Sequence, residues 1–272
     1  MMAFVTDPSK LPRYRVIGPG FDIGIFERKG QNLRGAARAE GPLHHAADRH
    51  VPHLSVALRY AFAVGRKKLR ATRDANVAAN AVKVALTEVL EPSLVKAVVA
   101  GGRAGVKALS TLRTAEELRT AAPNLKMSFD ATNPDVVKWA RKHAAELIDD
   151  ISATSKKRIR LAISELHDEG DWDLALDRIL ASVGDEQRAK LIARTESMAA
   201  ASEGNRQGWR QAIDEGLLTG DEKVTWIATE GACPECEALD GAVRDIDGQY
   251  PDPGGDGPIL HPNCRCTEGI IG

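Results

Sequence analysis

Aromatic side chains are scarce in this sequence, at 4% of 272 residues, so a hydrophobic core must be built mainly from Ala, Leu, Val and Ile. Small and aliphatic side chains of this kind favour closely packed helices. Long apolar runs are also missing, and none approaches the roughly 20 residues that a transmembrane helix requires. The first residues, MMAFVTDPSKLPRYR, lack the apolar segment of a secretory signal, so a cytoplasmic protein is expected.

Cysteine is rare as well, and all four cysteines lie between Cys233 and Cys266. In the reducing cytoplasm, clustered cysteines are more typical of a metal site than of a disulfide framework. Two alternatives stay open at this point. The cysteines form a disulfide after release from a cell, or they serve as small core residues.

The net charge of −1 conceals an uneven distribution of charge along the chain. Residues 1–72 contain 13 Lys and Arg against 5 Asp and Glu, whereas residues 203–272 contain 5 against 14. This gradient has two interpretations. The charged faces simply keep the protein soluble, or they bind partners of opposite charge.

Changes in composition divide the sequence into four predicted segments. Residues 1–51 are rich in Gly, Pro, Arg and His and predict an extended basic arm with one short strand, RYRVI. Residues 52–132 predict a helical domain, residues 133–216 a second helical block, and residues 217–272 a small α+β tail. Three histidines of the arm region are interpreted as solvated loop residues: His44, His45 and His50.

Alanine-rich patterns with a helical period fill both helical segments. The first begins at Pro52, and the second follows the N-cap Asn133. Pro92 is predicted to begin a further helix, because proline is favoured in a first helical turn. Its glycine patch is expected to kink the helix or to permit close packing: Gly101, Gly102 and Gly105. The predicted buried stripes are Leu54, Leu58, Ala61 and Phe62, and Val136, Val137, Ala140, Ala144, Leu147, Ile148 and Ile151.

The longest helical pattern is DEQRAKLIARTESMAAASEGNRQGWRQAIDEG, with Asp185 as its N-cap and Gly204 and Gly208 as potential breaks. Its IARTE motif contains Arg194 and Glu196, which are two residues apart and therefore do not face each other on a helix. Each side chain needs a partner elsewhere. A catalytic cluster is one interpretation, and the preferred hypothesis is a structural motif in which Arg194 or Glu196 bonds to the tail.

In the tail, the apolar residues no longer recur with a helical period. KVTWIATE alternates as a strand does, and Asp240-Gly241 indicates a hairpin turn. A C-x2-C knuckle and the segment HPNCRC then supply five candidate zinc ligands: Cys233, Cys236, His261, Cys264 and Cys266. A structural zinc site takes four of them, which leaves the choice within HPNCRC open. Zinc would also stabilise a tail with little core of its own.

The predicted fold class is therefore mainly α with a small α+β C-terminal zinc-binding module and an extended N-terminal arm. Five donors close together favour a closed structural site over a catalytic one, which keeps one coordination position open. A nucleic-acid deaminase would match His167 to Glu169 and the C-x2-C pair. That interpretation is disfavoured, because Ala232 replaces the expected proline and HPNCRC would have no role. The protein is expected not to be an enzyme.

The ordered motifs IARTE, NRQGWRQA, VTWIATEGACPECEALDGAV and HPNCRC resemble the Mu F-like head morphogenesis family of tailed bacteriophages, over residues 133–268. The resemblance implies a minor capsid protein that acts in procapsid assembly near the portal, located in the phage head of the virion and in the host cytoplasm during assembly. It also implies a role in DNA packaging or ejection for some members. The alternative is a zinc-dependent host enzyme or a nucleic-acid-binding factor.

The expected partners are the portal protein, the major capsid or scaffolding protein, and packaged DNA, with no membrane partner. The basic arm is the predicted contact. Phosphate contacts would make DNA binding non-specific and sensitive to salt. Docking to portal or capsid is preferred, because apolar anchors lie between the charges at intervals that suit an extended segment: Tyr14, Ile17, Phe21, Ile25 and Phe26.

Overall fold

The computed structural model describes residues 14–18, 21–26, 41–112, 128–166, 178, 180, 181 and 183–271. Four long helices account for most of them: α1 (Pro42–Thr72), α2 (Ala75–Leu112), α3 (Pro134–Leu166) and α4 (Glu186–Asp214). The smaller elements are β1 (Tyr14–Gly18), β2 (Phe21–Phe26), β3 (Lys223–Ile227), the short helix α5 (Pro234–Ala238), β4 (Val243–Asp245) and β5 (Thr267–Ile271).

Two helix boundaries differ from the sequence prediction, both at a proline. Helix α1 begins at Pro42 and continues through Pro52, so residues 42–51, which were assigned to the extended arm, are helical. Helix α2 likewise continues through Pro92, which was predicted to begin a new helix. Buried Leu90 and Leu94 flank that proline. Tertiary packing of such an apolar stripe outweighs the local cost of proline.

The predicted N-caps are confirmed. Asn133 Oδ1 accepts a hydrogen bond from the Asp135 backbone N–H at 2.9 Å, and Asp185 Oδ1 accepts one from the Arg188 N–H at 2.7 Å. Each bond satisfies one of the backbone donors that a helix N-terminus leaves free. Helix α3 and helix α4 therefore begin where the sequence places them.

The chain forms two compact units, each assembled from separate stretches. Unit 2 consists of residues Ala47–Val98 and Thr132–Ala200 and is helical. The stripe predicted on α1 is buried there, and so is most of the stripe on α3, where Val137 and Leu147 are only half-buried. Side-chain hydrogen bonds also stabilise this unit. The buried Ser155 hydroxyl and the Arg188 guanidinium both donate to the Val183 carbonyl, each at 2.9 Å.

Unit 1 consists of Met1–Ala46, Val99–Ala131 and Ala201–Gly272. Its antiparallel sheet has the strand order β2-β1-β5-β3-β4. Strand β5 pairs with β3 from Lys223↔Ile271 to Ile227↔Thr267, and the backbone of β1 pairs with the other edge of β5. The arm thus contains two strands where one was predicted, and part of it is paired within the chain.

Helices α2 and α4 approach closely within unit 1. A Cβ on Gly101 would lie 2.1 Å from the Ala201 carbonyl oxygen, and one on Gly105 would lie 2.2 Å from Asn205 Oδ1. The glycine patch therefore permits close packing, as the sequence suggested. Helix α4 continues through Gly204 and Gly208, which were predicted as potential breaks, because both glycines are buried in this contact region.

The tail sheet follows the predicted alternation only in part. Val224, Trp226 and Ala228 are buried as expected, and Thr225 and Ile227 are buried too, since other elements cover both faces of β3. Helix α5 and the turn at Asp240-Gly241 lie between β3 and β4. Among the described helices, none has the length and apolar character needed to cross a membrane.

Candidate metal centre

The C-x2-C knuckle is built by the turn that enters helix α5. Cys233 is the N-cap of this helix, Pro234 occupies its first position, and the Glu237 N–H donates to the Cys233 carbonyl at 2.9 Å. Gly231 precedes the knuckle with a φ of 70°, a left-handed conformation that glycine adopts without strain. The turn places both sulfur atoms on one side, with Cys236 buried and Cys233 half-buried.

The segment HPNC forms a second tight turn. The Cys264 N–H donates to the His261 carbonyl at 3.1 Å, and Asn263 has a φ of 63°. Proline followed by a residue with positive φ is typical of a type II turn, in which Asn is tolerated at that position. This turn carries His261 to the same side as the cysteines.

The two turns bring the donor atoms together. His261 Nε2 lies 3.2 Å from Cys233 Sγ and 3.4 Å from Cys236 Sγ, and Cys236 Sγ lies 3.8 Å from Cys264 Sγ. Two triads share the central Cys236, and the donor atoms within each triad are within 4.8 Å of one another: Cys233, Cys236 and His261, and Cys236, Cys264 and Cys266. The structure thus gathers all five predicted donors at one place.

The imidazole of His261 is oriented for ligation through Nε2. Its Nδ1 lies 2.9 Å from the Pro262 carbonyl oxygen, which can only accept, so Nδ1 carries the proton. The lone pair is then on Nε2, which faces the two sulfur atoms of the C-x2-C knuckle. A backbone carbonyl on the distal ring nitrogen is the usual arrangement for a metal-bound histidine.

The thiols have strongly different proton affinities. Burial raises the pKa of Cys236 to about 12, and the nearby Cys264 adds to the shift. A hydrogen bond with Cys266 lowers the pKa of Cys264 to about 5 and raises that of Cys266. The pKa of His261 is raised, mainly by its bond to the Pro262 carbonyl. A bound divalent cation would stabilise thiolates that burial and mutual repulsion otherwise disfavour.

All four cysteines are free thiols. The 3.8 Å between Cys236 and Cys264 is far longer than the roughly 2.05 Å of a disulfide bond. Three of the sulfurs belong to the core of the tail, which also contains Trp226 and Tyr250. This core is larger than the sequence suggested, because Leu109 of α2 and Trp209 of α4 contribute to it. A role in packing and a role in ligation are therefore compatible for the buried cysteines.

His44 corrects an expectation of the sequence analysis. It is a buried residue of helix α1 and not a solvated loop residue, because the helix begins earlier than predicted. The Gly41 N–H donates to Nδ1 at 3.0 Å, so Nε2 carries the proton and donates to the Arg265 carbonyl at 2.8 Å. Arg265 lies between Cys264 and Cys266, so this bond supports the backbone of HPNCRC. His45 and His50 are also on α1, exposed and half-buried respectively.

A buried ion network lies beside the cysteine cluster and was not predicted. The fully buried carboxylate of Glu268 on β5 accepts hydrogen bonds from Arg206 on α4 and Arg244 on β4, both at 2.9 Å. The Tyr250 hydroxyl donates to it at 3.3 Å, and Arg206 also pairs with the buried Glu203. In the sequence, this network was indicated by the single glutamate within the strand TEGII, which has no other charged residue.

Of the two IARTE residues singled out in the sequence, Glu196 contacts another helix. Glu196 pairs with His143 of helix α3 at 2.6 Å, inside unit 2, and His143 in turn stacks on Trp139. Its contact is thus between helices. Arg194 is exposed on α4. The deaminase-like residues His167 to Glu169 lie outside the described residues.

Residues 141–268 match the family model described as Phage Mu protein F like protein. This stretch includes IARTE, the C-x2-C knuckle and HPNCRC, so the resemblance seen in the sequence is confirmed there. Residues 141–268 are thus similar to the Mu F-like family, and the match does not extend to the first 140 residues. No curated protein and no solved structure matches the chain.

Proposed function

We propose that this protein is a minor capsid protein that acts in procapsid assembly near the portal of a phage head, without enzymatic activity. The match of residues 141–268 to the Mu F-like family carries this proposal. The buried core and ion network of the tail support it, since a rigid module suits a protein that fixes contacts between subunits. Roles in DNA packaging or ejection belong to the same proposal.

The tail is further proposed to bind one structural zinc ion. Zinc–sulfur bonds of about 2.3 Å and zinc–nitrogen bonds of about 2.0 Å place tetrahedral donors roughly 3.5 to 3.8 Å apart. The observed separations of 3.2, 3.4 and 3.8 Å are close to this geometry. Three donors are buried, which supports a closed site and disfavours a catalytic one. Zinc would neutralise the thiolates and hold the two turns together.

Reduced, freshly purified protein is expected to contain about one zinc per chain. Zinc content is measured by elemental analysis, and release by a chelator is followed together with hydrogen exchange of the tail. Chelation should increase exchange in residues 217–271 and leave unit 2 protected, because the metal closes only the tail. A content well below half an equivalent in reduced protein would rule out the zinc proposal.

His44→Ala is expected to weaken zinc binding by about tenfold while zinc still binds at saturation. The substitution removes the donor that supports the Arg265 carbonyl, and outer groups of this kind typically change metal affinity 10- to 100-fold. Competition with a chromogenic chelator gives the affinity. His45→Ala is the matched control, since the neighbouring histidine is exposed. Equal affinities for the two variants would show that the contact with HPNCRC has no role in ligation.

The place of action is tested in purified heads. Quantitative mass spectrometry should find the chain in a few copies relative to the portal, and cross-linking should connect it to portal or capsid subunits. A zinc-dependent host enzyme or nucleic-acid-binding factor would be absent from heads. For such a protein, chelation would abolish turnover or specific DNA binding, whereas for a head protein it would weaken assembly.

The basic arm is proposed to dock on portal or capsid, with packaged DNA as the alternative partner. Deleting residues 1–40 retains helix α1 but removes strands β1 and β2, so hydrogen exchange of residues 223–271 checks that the tail stays folded. With the tail folded, incorporation into heads is expected to fall, because the apolar anchors are lost. Incorporation is measured against portal, and a variant with the arm's Lys and Arg changed to Gln serves as the control. If the deletion variant enters heads normally and loses its salt-sensitive DNA binding, packaged DNA is the favoured partner of the arm.

A further inference from the structure

The two turns of the cysteine cluster share one pattern of donors. Cys233-Pro-Glu-Cys236 and His261-Pro-Asn-Cys264 each place a donor, a proline, one further residue and a cysteine in succession. In each turn the first donor is half-buried and the cysteine is buried. Each turn is also closed by a backbone bond to the carbonyl of its first donor, at 2.9 and 3.1 Å. The two turns thus present their donors at the same spacing, although the first bond comes from the Glu237 N–H of a helix and the second from the Cys264 N–H of a turn.

We infer that zinc is held by Cys233, Cys236, His261 and Cys264, one pair from each turn, and that Cys266 remains an uncoordinated thiol. The inference rests on the proposed zinc site and specifies its ligands. The contacts in the structure link these four donors in a chain: Cys233 to His261, His261 to Cys236, and Cys236 to Cys264. The Cys266 sulfur also lies within 4.8 Å of those of Cys236 and Cys264. Cys266 lies outside both turns, immediately before strand β5.

Charge favours this ligand set over four cysteines. Three thiolates and one zinc ion leave a net charge of −1, whereas four thiolates leave −2. The region is buried, and Cys266 itself is 1% exposed, so each additional uncompensated charge is costly. The nearby carboxylate of Glu268 is also buried and already uses both of its arginine partners. A neutral thiol at Cys266 avoids a further negative charge at this point.

The orientation of His261 gives a second argument. With four cysteine ligands, Nε2 would have to carry a second proton and donate it to the coordinated sulfur atoms, 3.2 and 3.4 Å away, which makes the ring an imidazolium. As a ligand, the same nitrogen directs its lone pair to the metal, and the distances to both sulfur atoms follow from a shared coordination sphere.

The test uses full-length protein loaded with zinc or with cobalt(II), whose charge-transfer absorption grows with the number of bound thiolates. Cys266→Ser should retain one metal per chain and the wild-type absorption. Cys264→Ser should lose about one third of the absorption and bind more weakly. His261→Cys should gain about one third, because it supplies a fourth thiolate. The double variant His261→Cys/Cys266→Ser should show the same gain, which keeps the test valid if Cys264→Ser fails to fold.

Two outcomes would overturn the ligand assignment: loss of metal or of about one third of the absorption in Cys266→Ser, or unchanged absorption in His261→Cys. A loss in Cys266→Ser would place Cys266 in the coordination sphere, by about one third if it replaces another cysteine and by about one quarter if all four cysteines bind. Unchanged absorption in His261→Cys would exclude His261 from the coordination sphere. A wild-type protein that binds neither zinc nor cobalt would instead overturn the zinc proposal itself. The two failures are therefore distinguishable in the same experiment.

Discussion

Cys236→Ser is expected to abolish metal binding and to unfold the tail while unit 2 remains folded. Cys236 is the sulfur shared by both donor triads and is fully buried. Structural zinc contributes on the order of 10 kcal/mol in small metal modules. Even half of this free energy exceeds the change in stability that most single substitutions cause. The core that Leu109 and Trp209 share with the tail offsets only a part of the loss.

Hydrogen exchange measured by mass spectrometry separates the two parts of the protein. Peptides from residues 217–271 should lose protection in Cys236→Ser, and peptides from helix α3 should keep it. Glu235→Gln is the matched control, because this exposed residue lies in the same turn and supplies none of the proposed ligands. If Cys236→Ser retains stoichiometric zinc and full protection of the tail, the metal is not what stabilises this module.

Glu268→Gln is expected to destabilise unit 1 by about 3 to 5 kcal/mol. The glutamate carboxylate is completely buried, and it neutralises the Arg244 guanidinium and part of the charge of Arg206. Removing one partner of a buried ion pair leaves the other charge without compensation in a medium of low polarity. Arg206 retains Glu203, so the uncompensated charge is mainly that of Arg244.

Urea denaturation of the full chain, followed by near-ultraviolet circular dichroism, measures this effect. Asp247→Asn provides the control, because its ion pair with Arg210 is exposed, and surface pairs contribute about 0 to 1 kcal/mol. The double variant Arg244→Met/Glu268→Leu removes both charges and should lose less stability than the two single variants predict together. Equal effects of Glu268→Gln and Asp247→Asn would contradict a stabilising role for the network.

The sequence predicted the parts of the structure that depend on local chemistry. The caps at Asn133 and Asp185 and the apolar stripes of α1 and α3 follow from neighbouring residues, and the structure confirms them. The gathering of the five metal donors was predictable for the same reason. Four of them lie within two proline-containing turns, whose spacing largely determines which atoms converge once the tail brings the turns together, and Cys266 follows the second turn.

The features that sequence reasoning missed depend on contacts between distant residues. Pro52 and Pro92 lie inside helices because packed apolar stripes continue on both sides of them. His44 finds its acceptor at Arg265, and no local pattern indicates a pair so far apart. Either Arg194 or Glu196 was expected to contact the tail, and the partner of Glu196 is His143 on another helix. A single sequence indicates that such polar side chains need partners and does not specify which ones.

The close approach of helices α2 and α4 has a consequence for which sequences this fold tolerates. A side chain at Gly101 would collide with backbone atoms of Ala201, and no replacement at position 201 can remove a backbone. A side chain at Gly102 would collide instead with the ring of Phe129, which a smaller residue can replace. Variation at position 102 can therefore be compensated by a second change at 129, whereas position 101 is restricted to glycine as long as the helices keep this distance.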